Sequence, residues 1–121
     1  MFTSLVSAFG VLITGCTAGT TETALTCEQV AQEVHQTLTD VAAAHRTCSV
    51  VEDCEVVWLS VTCSQSCSDI VGIGGVAAFE AALDDAENGI CADYPSCEPP
   101  VPPCVPPGPV DCVNGVCVEG T

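Results

Sequence analysis

Eleven cysteines among 121 residues constrain this chain more than any other feature. A cysteine content of roughly 9% is typical of short secreted chains held together by disulfides and is rare in the reducing cytosol. The apolar material available for a core is thin. Beyond the N-terminal stretch the aromatic residues are Trp58, Phe79 and Tyr94, and most other apolar side chains are Ala, Val and Cys. Such a core gives a small domain little stability, whereas a disulfide typically contributes about 2 to 4 kcal/mol by restraining the unfolded chain. The expected class is a single small disulfide-rich α+β domain with two amphipathic helices, a short strand and a C-terminal β-hairpin.

Residues 2–15 are uncharged and largely apolar, too short for the ~20 residues that span a bilayer. They fit the apolar region of a signal peptide. Ile13-Thr14-Gly15-Cys16 follows, an aliphatic residue and two small ones ahead of a cysteine, and this resembles the lipobox of bacterial lipoproteins. The resemblance implies a diacylglyceryl group on the Cys16 sulfur, cleavage before Cys16 and acylation of the new amino group. Each buried CH₂ contributes about 0.8 kcal/mol, so three chains would anchor the protein essentially permanently. The competing reading is an ordinary secretory peptide cut after Ala18; a structural apolar helix of a cytosolic protein is a third.

Both export readings remove Cys16 from the thiol pool. Ten cysteines remain: Cys27, Cys48, Cys54, Cys63, Cys67, Cys91, Cys97, Cys104, Cys112 and Cys117. An even number suits complete pairing, in up to five disulfides, but ten cysteines admit about 945 pairings and the sequence does not choose among them.

Charge narrows the partners. Sixteen Asp and Glu stand against a single basic side chain, Arg46, for a formal net charge of −15. Nucleic-acid binding needs several Lys or Arg contacts to displace phosphate counterions, so it is excluded. An anionic leaflet would repel the chain, and membrane attachment must be hydrophobic or covalent. The expected location is the bacterial cell envelope, lipid-anchored at the outer membrane, with soluble secretion as the alternative.

The expected organisation is a signal peptide over 1–15, a lipidated Cys16 with a flexible tether over 16–26, and one cysteine-rich domain over 27–121. Cys27, Val30, Ala31, Val34, Leu38, Val41, Ala42, His45 and Cys48 recur at three- and four-residue intervals, which predicts a helix over about 27–46. Thr26 with Gln29 forms a capping box at its start. The β-branched and aromatic run Val56 to Thr62 predicts a strand. Gly72, Gly74 and Gly75 read as a flexible loop; Val76, Phe79, Leu83 and Ala86 then repeat at helical spacing, with Gly89 placed as the stop. Pro-rich segment 95–109 holds all eight prolines, seven of them between Pro99 and Pro109, and reads as an extended crossing. Asn114-Gly115 between valines and cysteines predicts a hairpin with a type I′ turn. Cys112 and Cys117 then face each other across the strands, and either bond together or point inward to different partners.

The residue patterns that carry chemistry are sparse. Structural zinc sites repeat close cysteine pairs, but only Cys63 and Cys67 are close and no C-x-x-C occurs, which also argues against a thioredoxin-type centre. His35 and His45 are roughly 1000° of helical rotation apart and face different ways; His45 reads as a boundary residue beside Cys48. Gly72-Ile73-Gly74-Gly75 lacks the Lys-Ser/Thr of a phosphate loop. No G-x-S-x-G elbow is present, and the serines near Cys63 have no evident base. Asp84, Asp85 and Glu87, like Glu52, Asp53 and Glu55, lack EF-hand spacing and read as solvated acidic faces. No cofactor, metal or catalytic residue is indicated, and a non-enzymatic binding or structural domain is expected.

The pattern Cys48-x5-Cys54, Cys63-x3-Cys67, Cys91, Cys97, Cys104 and closing Cys112-Val113-Asn114-Gly115-Val116-Cys117 resembles the small cysteine-rich lipoproteins abundant in myxobacteria. That family has no assigned activity. The resemblance implies an exported bacterial context and carries over no catalytic residue; a binding surface for a protein partner or other envelope components is the separate expectation for the domain. The alternative expectation is a secreted inhibitor or toxin-like module presenting the Cys97–Cys112 loop to a partner enzyme. Trp58 and Tyr94 are expected in the core, with surface contact as their other role.

Overall fold

The computed structural model describes residues 24–120. The expected signal peptide, Cys16 and most of the tether lie outside them. Helix α1 spans Cys27–Ala44. Its start is the capping box read from the sequence: Thr26 Oγ1 accepts the Gln29 N–H at 3.1 Å, and Gln29 Oε1 accepts the Thr26 N–H at 2.9 Å. Val30, Val34, Leu38 and Ala42, one per turn, form its buried stripe. The helix ends two residues before the expected boundary because the following backbone is claimed by other elements. His45 C=O accepts from Gly72 N–H at 2.7 Å, Arg46 C=O from Cys117 N–H at 2.8 Å, and Cys48 N–H donates to Gly115 C=O at 3.0 Å. His45–Cys48 therefore runs as a bridge between two antiparallel hairpins.

The first hairpin pairs β1 (Cys54–Trp58) with β2 (Ser68–Gly72), from Cys54 opposite Gly72 to Trp58 opposite Ser68. The strand predicted over Val56–Thr62 thus starts and stops earlier. Beyond Trp58 the backbone folds into a tight reversal, with Val61 N–H donating to Ser64 C=O at 2.8 Å and Ser64 N–H returning to Val61 C=O at 3.1 Å. Strand β2 and its glycines replace the flexible loop expected there. Gly72 closes β2, and Ile73–Gly75 forms a 3-10 turn. A Cβ on Gly72 would lie 2.1 Å from the Thr47 carbonyl oxygen, so only glycine lets β2 approach the His45–Cys48 bridge.

Helix α2 (Val76–Asn88) buries Phe79. Gly89 ends it as expected, but at φ −102° rather than in the left-handed region, because the chain passes directly into a one-turn helix, α3 (Ile90–Asp93). The second hairpin pairs β3 (Val110–Val113) with β4 (Val116–Glu119). Its turn residues Asn114 and Gly115 have φ of 53° and 80°, the two positive angles a type I′ turn requires.

Five disulfides join these elements: Cys27–Cys97, Cys48–Cys112, Cys54–Cys117, Cys63–Cys91 and Cys67–Cys104. Cys112 and Cys117 do sit opposite each other. They bond to different partners, so the hairpin is fastened to the body by two bridges. The core gathers the α1 stripe, Leu59, Val61, Val71 and Phe79 around the Cys63–Cys91 bridge, with Tyr94 packed at its edge and its hydroxyl accepting the Leu25 N–H at 3.0 Å. Trp58 is not core: it is 49% exposed. Val57 takes the inward position on β1, and strand alternation turns the next side chain outward. No described helix is long and apolar enough to cross a membrane.

Candidate functional site

The Pro-rich segment is the most exposed apolar feature of the described surface. It is fixed at Cys97 to the first turn of α1, at Cys104 to Cys67 just before β2, and at Cys112 to Cys48. Between these points Val101 and Val105 are 76% and 80% exposed. Each valine precedes a proline, which holds the preceding residue in an extended backbone. The far end of the segment is tied down by Gly108 N–H donating to Glu119 Oε2 at 3.0 Å and by Gly120 N–H donating to Pro109 C=O. Two apolar side chains thus project from a chain whose shape is held by three bridges and two hydrogen bonds. Chemically this arrangement is suited to apolar contact.

Concave surfaces lie elsewhere among the described residues. A groove of about 380 Å³ between α1 and α2 is lined by Val34, Val41, Ala82, Ala86 and Ile90, with Glu33, Thr37 and Asp85 among its polar edges. A shallower recess of about 360 Å³ brings His35 together with Ser64 and Ser66. Sequence spacing gave those serines no base, and the fold supplies a neighbouring imidazole. The Ser64 hydroxyl is nevertheless engaged elsewhere. Ser64, 1% exposed, donates to the Ala31 carbonyl at 3.0 Å, and the Ser66 backbone exchanges hydrogen bonds with Ser60 Oγ. His45 stands apart: its Nδ1 is 2.8 Å from the Val41 carbonyl oxygen, and a Cβ on Gly75 would lie 2.3 Å from its own Cβ.

The acidic residues divide into structural and solvated groups. Glu87 Oε2 accepts both the backbone N–H and the hydroxyl of Thr62, each at 3.0 Å, joining α2 to the β1–β2 connection. Asp53 Oδ2 accepts the N–H groups of Ser49 and Val50 at 2.8 and 3.2 Å. Arg46, the one Arg or Lys of the chain, reaches Asp69 Oδ1 at 2.6 Å and the Ile70 carbonyl at 3.2 Å. No sequence signal singled out that pair, because the partners are separated by twenty-three residues and sixteen acids compete for one cation.

All ten predicted disulfide cysteines are paired, and Cys16 lies outside the described residues. Comparison with protein families, curated proteins and solved structures finds no match to this chain.

Proposed function

We propose that this chain is an exported envelope protein, anchored by acyl chains on Cys16, whose disulfide-locked domain binds a protein partner and performs no chemistry of its own. One observation carries the reading: the ten cysteines from Cys27 to Cys117 pair among themselves, and the cysteine left over is the one that follows Ile13-Thr14-Gly15. Five bridges suit an oxidising compartment. The odd cysteine at a lipobox-like position supports lipidation there, as does the resemblance to cysteine-rich myxobacterial lipoproteins. The wild-type chain is expected to sediment with membranes and partition into detergent, whereas Cys16→Ser leaves it soluble. Membrane fractionation that is unchanged by the substitution contradicts the anchor.

The loop geometry favours a second reading, a secreted inhibitor that offers Val101 or Val105 to an enzyme cleft. Preset shape lowers the ordering cost of binding. On this reading the intact domain inhibits an extracellular peptidase with an apolar specificity pocket. Cutting between Pro99 and Pro109 abolishes inhibition while the disulfides keep the rest folded. A broad peptidase panel showing no inhibition removes the second reading and leaves the first.

A further inference from the structure

Two of the five disulfides lie side by side. The sulfurs of Cys48, Cys54 and Cys117 lie within 4.8 Å of one another, although Cys48 is bonded to Cys112 and Cys54 to Cys117. The fourth sulfur belongs to Cys112, directly opposite Cys117 in the β3–β4 register. The Cys117 N–H points away from β3, to the Arg46 carbonyl, which makes this a non-hydrogen-bonded pair. Such pairs bring Cα atoms to about 4.5 Å, inside the range a disulfide accepts. Three clustered sulfurs and a fourth bonded to one of them thus bring a second pairing within reach of the one present: Cys48–Cys54, whose sulfurs lie within 4.8 Å, and Cys112–Cys117, opposite in register.

We propose that this cluster is a thiol–disulfide exchange centre that an external thiol switches between the two pairings. A thiolate attacks the sulfur of Cys112, the half-buried end of its bridge; the Cys48–Cys112 bond breaks, leaving a mixed disulfide on Cys112 and a thiolate on Cys48. The Cys48 thiolate, already beside the neighbouring bridge, attacks Cys54. The Cys48–Cys54 bond forms, the Cys54–Cys117 bond breaks, and the electron pair leaves on Cys117. Cys117 then attacks Cys112 across the hairpin, closing Cys112–Cys117 and expelling the original thiolate. Two disulfides are present before and after, nothing is oxidised or reduced overall, and the thiol is regenerated.

The consequence is mechanical. In the present pairing both bridges tie the hairpin to the body; in the other, each bridge is local, and the hairpin keeps only contacts such as the Gly115 and Arg46 carbonyl hydrogen bonds. The site also selects its thiol by charge. Asp53 and Glu55 flank Cys54, Asp111 precedes Cys112, and the whole chain carries −15. That field repels anionic thiols and draws cationic ones or a thiol on a basic protein surface.

The test uses the oxidised full chain at fixed neutral pH, exposed to catalytic cysteamine or glutathione, quenched in acid and mapped with pepsin. The expected result is appearance of Cys48–Cys54 and Cys112–Cys117 linked peptides while Cys27–Cys97, Cys63–Cys91 and Cys67–Cys104 persist. Amide exchange across Val110–Glu119 should accelerate in parallel. Cationic cysteamine should act on the order of tenfold faster than anionic glutathione at low salt, the ratio collapsing near 1 M salt. Scrambling of all five bridges together, or absence of the two new linkages with either thiol, overturns the exchange centre. Equal low-salt rates for the two thiols overturn the charge selection.

Discussion

Complete reduction and alkylation of the cysteines is expected to unfold residues 27–120. The bridges span sequence separations of 70, 64, 63, 28 and 37 residues. Taken one at a time, loops of that size restrain the unfolded chain by about 3.6 to 4.4 kcal/mol each on the chain-entropy argument. The loops interlace, so the contributions do not simply add. Even two such terms are comparable with the 5 to 15 kcal/mol (roughly) that separates a typical folded domain from its unfolded state. The buried core here is made of valines, two leucines, one phenylalanine, an alanine and the cysteines themselves, which leaves little to offset the loss. Helical circular dichroism at 222 nm is the suitable readout, because half-exposed Trp58 would report little by fluorescence. Retention of helical signal and a cooperative melt after alkylation would contradict the account.

Phe79→Ala should be the most damaging single apolar truncation. Phe79 is 1% exposed and is the largest fully buried side chain among the described residues, set where α2 faces the α1 stripe and Val71. Truncating a buried phenylalanine costs about 3 to 5 kcal/mol. At about 4 to 8 °C per kcal/mol for a domain of this size, the melting temperature of the oxidised protein should fall by at least about 12 °C. Trp58→Ala serves as the internal comparison. The side chain is larger but 49% exposed on the outer face of β1, so its loss should cost well under half as much. Equal losses for the two variants, measured by thermal unfolding, would show that the burial pattern is wrong.

That contrast marks where the sequence was legible. The capping box of Thr26 and Gln29, the four-residue spacing from Val30 to Ala42, and Asn114-Gly115 are local signals, and local signals specified α1 and the β3–β4 hairpin. Helix α2 was visible for the same reason, in Val76, Phe79 and Leu83. Strand β2 was not. Ser68-Asp69-Ile70-Val71-Gly72 has no alternation to announce it, and it becomes a strand because β1 and the His45–Cys48 bridge supply its hydrogen bonds. The outward turn of Trp58 depends on where β1 begins, and hydrophobicity says nothing about that. The cysteines were legible as a set and illegible as pairs, because pairing is fixed by distances between elements far apart in the chain. The neighbouring sulfurs of Cys48, Cys54 and Cys117 belong to the same category. The exposed valines of the Pro-rich segment fall between: proline spacing foretold an extended chain, but only the three anchoring bridges reveal how its shape is held.

Intact mass spectrometry of the protein from the membrane fraction of its native host, before and after reduction and alkylation, reads the anchor and the five disulfides together. The account predicts a chain beginning at Cys16 and carrying three acyl chains, unreactive to the alkylating agent until reduced and then gaining ten alkyl groups, one for each cysteine from Cys27 to Cys117. A chain beginning at Met1 that takes up eleven alkyl groups without reduction would contradict both the anchor and the bridges.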